Sequence, residues 1–298
     1  MGGEPLDVTA VILTLNEEAN LPACLDTVRG WCRSVFVVDS GSTDRTVEIA
    51  RAAGAVVEVH PFDTHARQWR WALETLPIQS SWVLALDADQ RVSPELAASI
   101  ARALGGDGPA GRVNGFYVNR RQIFRGRWIR HGGYYPMPLL KVFRRTAVSL
   151  DETERVDHHF TVDGAVGTLD GDLTEDNLNE RRIADWVAKH NRYARLQAEE
   201  EIARLGERGR TGRPFGHRDE RMQWAKAWWR RLPLYVRPFL YFGYRYVIRL
   251  GFLDGKEGLV FHVMQAFWYR LLVDVNRDEL RHAGRTGQGP TGGGSAAR

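Results

Sequence analysis

The sequence is poor in cysteine and contains no long hydrophobic run. Its 298 residues include two cysteines, Cys24 and Cys32, which are too few for a disulfide framework or a four-thiolate zinc site. No segment offers about 18 consecutive uncharged apolar residues, so we expect no conventional membrane-spanning helix. Because residues 1–7 lack a basic stretch followed by an apolar one, we also expect no secretion signal and a reduced, cytoplasmic compartment.

The common glycine-rich phosphate loops are missing as well. No G-x-G-x-x-G follows the first predicted strand, and G-x-x-x-x-G-K-[ST] occurs nowhere. A dinucleotide-binding Rossmann enzyme and a P-loop NTPase are therefore both disfavoured. The composition that remains is that of a globular protein, with 43% hydrophobic and 26% charged residues and a mildly basic net charge of +4.

The first third of the chain alternates between two kinds of apolar pattern. Short, β-branched apolar runs predict strands, and apolar residues at steps of three and four between them predict helices. The predicted strands are 8–15, 34–39, 55–59 and 82–86, and the predicted helices are 21–32, 46–53, 65–76 and 94–104. Ser93 is the expected N-cap of the last helix, with Pro94 in its first turn. This alternation predicts an α/β fold with a mostly parallel sheet and helices on both faces.

Acidic and amide residues follow several of the predicted strands. Open parallel sheets bind ligands outside the carboxyl ends of their strands, where Asn16, Glu17, Asp39, Asp87 and Asp89 would gather. On an extended backbone, residues two apart point to the same side, so the carboxylates of Asp87 and Asp89 could face one point. Paired carboxylates with room for phosphate oxygens suit Mg²⁺ or Mn²⁺. The alternative is an aspartate-rich turn without a ligand.

Four ordered blocks resemble family 2 glycosyltransferases of the GT-A fold, and bacterial enzymes of lipopolysaccharide-core and exopolysaccharide synthesis in particular. The blocks are residues 12–21, 37–50, 84–96 and 132–145. They occur in the family's order within roughly the first 160 residues. The resemblance therefore implies a GT-A catalytic domain that binds a nucleotide-diphosphate sugar.

The resemblance assigns individual residues to the donor and its metal. The residues assigned to the nucleotide-sugar pocket are Thr14, Asn16, Glu17, Asp39, Arg67, Asp87 and Ala88. Asp39 would accept a hydrogen bond from the base, Arg67 would face the nucleotide, and Asp89 would bind the Mg²⁺ or Mn²⁺ that bridges the phosphates. Turn capping around Gly41 is the alternative for Asp39 and Asp44.

An inverting transferase needs a general base for the acceptor hydroxyl. Residues 151–160 resemble a segment of bacterial relatives that contains an aspartate and a histidine, which Asp157 and His159 match. His158 departs from this pattern, because the relatives have glutamate there. We predict Asp157 as the base, Glu154 as the second candidate, and His159 as a further metal ligand or a phosphate donor. An exposed acidic loop is the alternative.

A basic run precedes the block that contains Tyr134 and Tyr135. In similar proteins this region forms an acceptor-side loop near the donor diphosphate. We therefore expect Arg130, Tyr134 and Tyr135 to contact the acceptor or the phosphates, since arginine can hold phosphate through paired hydrogen bonds. A solvated basic hairpin is the alternative.

The last third differs in composition. A helix is predicted over residues 179–205, and residues 217–250 carry eight lysine or arginine residues against two acidic ones, interleaved with aromatic residues. That mixture is typical of a helix lying in the headgroups of an anionic membrane. Single-stranded nucleic acid is a competing partner, but without an RNA-binding module we expect none, and packing against the domain or a second subunit is the structural alternative. Residues 251–258 are expected to interrupt the helices, and residues 259–272 to form another.

The sequence thus predicts a GT-A domain over residues 6–175, a helical region over 176–282 and a glycine-rich tail over 283–298. The expected reaction is metal-assisted, inverting transfer of a sugar from a nucleotide-diphosphate donor, expected to be a UDP-sugar, to a glycan or lipid-linked acceptor of the cell envelope. The expected location is the cytoplasm, peripheral to the inner face of the plasma membrane. A nucleotidylyltransferase and a non-catalytic nucleotide-sugar-binding scaffold are the alternatives.

Overall fold

The computed structural model describes residues 4–105, 108–150, 159–206, 224, 228–229 and 231–286. The first half alternates strands and helices as predicted. Its elements are β1 (Leu6–Thr14), α1 (Leu21–Val28), β2 (Cys32–Asp39), α2 (Thr46–Ala52), β3 (Val56–Val59), α3 (His65–Thr75), β4 (Trp82–Asp87), β5 (Gln90–Val92) and α4 (Pro94–Leu104). Ser93 caps α4 as expected, because its side chain accepts a hydrogen bond from the backbone N–H of Leu96.

The second half adds strands and then helices. These elements are β6 (Gly115–Phe124), β7 (Arg127–Ile129), β8 (Pro138–Arg144), β9 (Val148–Leu150), β10 (Phe160–Val162), β11 (Val166–Glu175), α5 (Ile183–Gly206), α6 (Arg237–Gly243), α7 (Gly255–His262) and α8 (Tyr269–Thr286). Two wider, π-helical turns extend α6 and α7, over Tyr244–Ile248 and Val263–Trp268. A short 3-10 turn, Gly251–Asp254, lies between them.

The main sheet has the order β3-β2-β1-β4-β8-β6-β11-β5, with β7 paired to β6. Strands β1 to β4 are parallel, β8 runs antiparallel between β4 and β6, and β11 is parallel to β6. Six of the nine strands described in this sheet therefore run in one direction, which confirms the predicted mostly parallel α/β fold. As a result, the carboxyl ends of β1, β2, β4 and β11 meet at the same edge.

Apolar side chains fill both faces of this sheet. One cluster lies under α1 and α4 and includes Leu21, Leu96 and Ile100, all fully buried. The other contains Trp69 from α3, whose ring packs edge-on against Phe160. Burying a side chain of this size contributes roughly 1.5–3 kcal/mol each, so the two layers fix the positions at which the strands end.

Three sequence-based boundaries were wrong. The predicted apolar face of the first helix included Cys32, but α1 ends at Val28 and Cys32 begins β2. The helix stops because Arg29 is extended and Gly30 has a φ of 89°. The helix predicted over residues 179–205 begins at Ile183, because Leu178–Glu180 form a separate 3-10 turn that Asn177 caps. Finally, α7 starts at Gly255, inside the segment expected to interrupt the helices.

The C-terminal helices pack on one another around a third apolar cluster. Helices α5 and α8 are in contact, and Trp186, Ala194 and Val273 are buried between them and their neighbours. The cluster also takes in Ile129 and Tyr134, which joins the helices to the sheet. Among the described residues, no helix is both long enough and apolar enough to cross a membrane.

Candidate active site

Asp39 ends β2 and organises the loop that follows it. Its side chain is buried and accepts hydrogen bonds from the Thr14 hydroxyl, 3.0 Å away, and from the backbone N–H groups of Gly41 and Ser42, at 3.0 and 2.8 Å. The Ser42 hydroxyl gives a fourth. Each carboxylate oxygen thus accepts two bonds, so a nucleobase N–H could reach it only by replacing one of them. Turn capping around Gly41, the alternative role considered for Asp39, is therefore present.

The segment after β1 is tied to the segment before α2. Asn16 has a φ of 55°, and its side-chain oxygen accepts a hydrogen bond from the backbone N–H of Thr43 at 2.8 Å. The backbone N–H of Glu18 donates to Asp44, which also accepts from Thr46 at the start of α2. Asn16 and Glu17 are therefore fixed at the sheet edge, while Asp44 serves as a capping residue.

Glu17 lies in a partly buried acidic environment. Its carboxylate accepts hydrogen bonds from Asn20 at 2.7 Å and from Asn179 at 3.2 Å. Burial raises the pKa of Glu17, and the opposing effects of Asn20 and Lys189 do not cancel that rise. Asp87 is also close enough to contribute to it. Glu17 thus belongs to the same electrostatic group as the carboxylates that follow β4.

Asp87 ends β4 and pairs with a lysine that the sequence analysis did not single out. The ammonium of Lys141, on β8, lies 3.1 Å from a carboxylate oxygen of Asp87 and is almost completely buried. The strand order places β8 directly beside β4, so the pair spans neighbouring strands. A signal was available: Lys141 is the one charged residue in the otherwise apolar segment 138–143, and a buried lysine normally needs an acidic partner.

The prediction that Asp87 and Asp89 lie on the same side of an extended strand was wrong. Residues Ala88 and Asp89 form a turn between β4 and β5 and are not extended, so the two side chains do not share a side of a strand. They are nevertheless coupled. Burial raises the pKa of Asp89 well above its usual range, and Glu175 and then Asp87 raise it further by repulsion. The turn thus concentrates negative charge at the sheet edge.

Glu175 was not predicted as a site residue. It is the last residue of β11, which ends at the same edge of the sheet. Its carboxylate accepts hydrogen bonds from Gln90 at 3.0 Å and from Arg120 at 3.2 Å. The neighbouring Asp176 donates its backbone N–H to the backbone oxygen of Asp89 at 3.1 Å. Glu175 ends a strand with an acidic residue, as Asp39 and Asp87 do, and this repeated pattern could have revealed it.

The segment after β11 closes over the end of β1. Asn20 is fully buried, and its side-chain oxygen accepts from the backbone N–H of Leu178 at 2.8 Å. Lys189 on α5 forms an ion pair with Glu180. Burial lowers the pKa of Lys189, but Glu180, Tyr193 and Asp89 outweigh that effect, so its pKa lies above the usual range. Lys189 is therefore a cation near Asp89, which together with Asp87 and Glu175 forms the group that we call the acidic edge. From the sequence alone, Lys189 was predicted only to lie on a helix.

The acidic edge fits a divalent cation that takes part of its coordination from phosphate. Within the described part of the chain, no group of three histidine, cysteine or acidic residues gathers as a complete metal site. Asp87, Asp89 and Glu175 are, however, hard oxygen donors. Lys141 pairs with Asp87 and Arg120 with Glu175, whereas Lys189 only partly offsets the burial and repulsion that raise the pKa of Asp89. Mg²⁺ and Mn²⁺ sites in nucleotide enzymes commonly use one or two carboxylates together with substrate phosphates.

The acceptor-side residues lie in different environments. Arg130 is exposed, with its guanidinium 5.3 Å from the ring centre of Trp128. The Tyr135 hydroxyl donates to Asp172 at 3.0 Å, and burial together with that carboxylate raises the pKa of Tyr135. Tyr134 is buried against Phe261. Of the two tyrosines, Tyr135 is thus the more accessible to an acceptor.

Two further predicted residues, Arg67 and His159, are exposed. Arg67 lies at the start of α3 and forms an ion pair with Asp63. His159 precedes β10. Glu154 and Asp157, the predicted bases, lie outside the described residues. Their roles, like those of the other site residues, stay predictions.

The chain matches the sequence model of glycosyl transferase family 2 over residues 9–161, which is about half of its length. This matched region contains β2 to β4, most of β1, and Asp39, Asp87 and Asp89 at the ends of these strands, while Glu175 lies beyond it. The chain belongs to glycosyl transferase family 2. The predicted family and enzyme class are thereby confirmed.

Two relatives of this family 2 glycosyltransferase come from bacteria. It is 28% identical over 209 residues to the lipopolysaccharide core biosynthesis glycosyltransferase LpsC of Rhizobium meliloti (strain 1021), covering 66% of this chain and 72% of that one. It is 40% identical over 93 residues to an uncharacterised glycosyltransferase of Rickettsia bellii (strain RML369-C), covering 31% of each chain. The crystal structure of S. aureus TarS 1–349 aligns over 94% of this chain and 92% of that one, with a TM-score of 0.45 and 14% identity.

Proposed function

We propose that this family 2 glycosyltransferase moves a sugar, with inversion, from a nucleotide-diphosphate sugar to a hydroxyl of a glycan or lipid-linked acceptor. The observation that carries the proposal is the gathering of Asp87, Asp89 and Glu175 at the ligand-binding edge of the sheet, where burial and the other two carboxylates raise the pKa of Asp89. Ionised Asp89 is costly there without a compensating cation, because burial and the two neighbouring carboxylates oppose its ionisation. A divalent ion would provide that compensation and could take a diphosphate as a further ligand, and a UDP-sugar is the donor we expect.

The chain's own residues would position the donor. The loops after β1 and β2, fixed by Thr14, Asn16 and Asp39, would hold the nucleoside, with Asp39 exchanging its bond from Ser42 for one from the base. Arg67 would have to leave Asp63 to reach the nucleotide. Pre-organised loops lower the entropic cost of binding.

Asp89, supported by Asp87, would hold Mg²⁺ or Mn²⁺, with His159 as a candidate further ligand. When bound, the ion would neutralise the charge that develops on the departing diphosphate. Lys141 would keep Asp87 oriented through its ion pair, and Lys189 would add a second positive charge near the phosphates. Lys141 would thus act through Asp87, whereas Lys189 would act on the charge of the leaving group.

The acceptor hydroxyl would lose its proton to Asp157, with Glu154 as the alternative base. Tyr135 and Arg130, on the acceptor side, would orient the acceptor. The relative named for lipopolysaccharide core biosynthesis supports an envelope glycan or lipid-linked saccharide as acceptor. On this proposal the enzyme works in the cytoplasm at the inner face of the plasma membrane.

The test is metal-dependent donor turnover. We expect wild-type protein with Mn²⁺ to release nucleoside diphosphate from one member of a nucleotide-sugar panel, and Asp89→Ala to lose this activity by on the order of a hundredfold or more. Asp170→Ala is the matched control, because Asp170 is 92% exposed and its removal should leave turnover unchanged.

Retained turnover in Asp89→Ala would contradict the role assigned to Asp89. Donor binding by the wild type without any turnover would instead favour the non-catalytic scaffold. Pyrophosphate release from a nucleoside triphosphate and a sugar phosphate would favour the nucleotidylyltransferase.

A further inference from the structure

The C-terminal helices expose apolar side chains on one connected surface. We define this apolar face by Phe239 and Leu240 on α6, Val247 and Ile248 on its π-helical extension, and Phe252 and Leu253 on the following 3-10 turn. Phe239 is 61% exposed and Ile248 is 70% exposed, values that are unusual for large hydrophobic residues. The π-helical extension contacts the 3-10 turn, so the three elements form one surface. Exposed apolar surface of this kind marks an interaction site.

Helix α6 buries one charged residue while it exposes large apolar ones. Arg237 is 1% exposed and its guanidinium pairs with Glu201 and Asp274. Two and three residues further along the chain, Phe239 and Leu240 are 61% and 52% exposed. A water-exposed helix normally buries its apolar stripe and exposes its charges. The sequence of α6 therefore suits an outer environment that is apolar.

The charge around the apolar face selects the kind of partner. Arg249 lies between Ile248 and Phe252 in the sequence and Lys256 follows Leu253 by three residues, and both are exposed. Over residues 231–263 the acidic residues are Asp254, which is buried, and Glu257, which is partly exposed. Apolar side chains rimmed by cations match the boundary between acyl chains and anionic headgroups. A symmetric dimer through the same face would bring the cationic rims of two copies together, which disfavours a second copy.

The turn that carries Phe252 and Leu253 is held rigidly from beneath. Asp254 is buried and accepts a hydrogen bond from the backbone N–H of His131 at 2.8 Å, and it contacts the His131 ring at 2.7 Å. Gly251 packs so closely against His262 that a Cβ there would lie 2.3 Å from a ring nitrogen. A surface that is already ordered loses little conformational entropy when it binds.

The same contacts connect the turn to the acceptor-side loop. The backbone N–H of Gly132 donates to the backbone oxygen of Arg249 at 2.8 Å, and Arg245 donates to the backbone oxygen of Gly132 at 2.7 Å. Two residues further along, Tyr134 packs against the face of the Arg245 guanidinium. A partner bound to the apolar face would thus lie close to the loop assigned to the acceptor.

We propose that the apolar face inserts into the interface of an anionic phospholipid bilayer and sets the acceptor-side loop beside that surface. The insertion itself follows from the exposed residues and their cationic rim. The statement about the acceptor rests on the proposed function. The predicted membrane segment was residues 217–250, whereas this proposal places the deepest residues at Ile248 to Leu253, partly beyond it.

Vesicle flotation of the full chain tests the proposal. We expect wild-type protein to float with vesicles of phosphatidylethanolamine and phosphatidylglycerol, and Ile248→Ser/Phe252→Ser to bind them about tenfold or more weakly. Arg249→Ala/Lys256→Ala should weaken binding to these vesicles by roughly tenfold and have no effect on the weaker binding to phosphatidylcholine. Val59→Ser/Phe62→Ser is the control, because it removes exposed apolar residues elsewhere and should float like wild type.

Flotation of Ile248→Ser/Phe252→Ser equal to that of wild type, or absence of wild-type flotation, would overturn the proposal. A wild-type dimer that this variant converts to monomer in light scattering would also overturn it, since a second copy would then cover the face. Thermal stabilisation by nucleotide-sugar with Mn²⁺ is measured on the same variants. Loss of flotation with unchanged donor stabilisation separates the apolar face from the donor site, so failure of either proposal is recognised independently.

Discussion

Single residues at the sheet edge are held by partners from distant parts of the chain. Lys141 is the clearest example of such a residue, because its ammonium is buried and forms an ion pair with Asp87 from a different strand. Removing a partner from a buried ion pair leaves an uncompensated charge, which costs far more than the pair itself contributes. Asp87 is the more exposed partner of the two, so part of that cost is screened by water.

We predict that Lys141→Met destabilises the protein by roughly 2 kcal/mol, because Asp87 then faces Asp89 and Glu175 with less compensation. Urea unfolding measures the loss. Lys141→Met/Asp87→Asn should recover much of it, since the second change removes the unpaired charge. Arg29→Ala, which breaks an exposed pair with Asp26, is the control and should change stability by less than about 0.5 kcal/mol. Equal effects of Lys141→Met and Arg29→Ala would contradict the buried pair.

His262 is buried, and its ring packs closely against Gly132 and Gly251. Neither of its ring nitrogens has a hydrogen-bond partner among the described residues, and a Cβ on Gly132 would lie 2.0 Å from its ring. The pKa of His262 is lowered to about 4, mainly by burial and to a smaller extent by nearby Arg245, while Asp254 opposes the shift. The native structure therefore requires the neutral ring.

This depressed pKa predicts acid sensitivity. The unfolded chain takes up a proton on His262 near pH 6.5, whereas the folded chain does so only near pH 4. The stability contributed by the neutral ring is therefore complete above pH 6.5 and is lost as the pH falls toward 4, by about 3 kcal/mol in all. Urea unfolding of wild type and His262→Gln across this range measures the difference. Parallel pH profiles of the two proteins would contradict the prediction.

Among the helices, α4 is stabilised at its N-terminus by the residue that caps it. Ser93 caps it through the backbone N–H of Leu96 at 3.2 Å and also accepts from the backbone N–H of Asp172 on β11 at 3.3 Å. One hydroxyl thus joins a local signal to a contact with the sheet. Leu96 and Ile100 on the inner side of α4 are fully buried and complete the attachment.

We predict that Ser93→Ala lowers the free energy of unfolding by about 1–2 kcal/mol, because two backbone donors lose their acceptor. Ser93→Asn is the matched variant and should retain most of the stability, since asparagine also accepts a hydrogen bond at an N-cap. Thermal and urea unfolding report the effect. If Ser93→Asn proved as unstable as Ser93→Ala, capping would not be the cause.

For the whole molecule, a buried ionic cluster joins the C-terminal helices. Arg237 at the start of α6 meets Glu201 from α5 and Asp274 from α8, and Arg277 reaches Glu201 at 2.8 Å. The Trp229 ring lies 5.4 Å from the Arg237 guanidinium. Because the cluster draws on three helices, it determines which side of α6 faces inward and so which side carries the apolar face.

We predict that Arg237→Met destabilises the C-terminal helices by about 3–5 kcal/mol, since Glu201 and Asp274 are left buried with less positive charge. Limited proteolysis and urea unfolding should detect the loss. Arg195→Met removes a cation with an exposed i,i+4 pair and serves as control, with an expected effect below about 0.5 kcal/mol. Proteolysis of Arg237→Met at the wild-type rate would contradict the structural role of the cluster.

Features that depend on neighbouring residues could be predicted from the amino-acid sequence. The alternation of strands and helices, the cap at Ser93 and the acidic residues at strand ends all follow from local periodicity and local hydrogen bonding. The ordered motifs were sufficient to identify the family because their residues also lie within short segments. Local reasoning failed where one backbone angle decides the outcome, as at Gly30, which ends α1, and in the turn at Ala88 and Asp89.

The contacts between distant charged residues depend on the three-dimensional packing of the chain. Lys141, Glu175 and Lys189 come from β8, β11 and α5, and their approach to Asp87 and Asp89 depends on strand order and helix packing, which no local pattern encodes. The orientation of α6 was decided in the same way. Its sequence offers both apolar and charged sides, and the inward turn of Arg237 follows from the carboxylates that α5 and α8 bring to it.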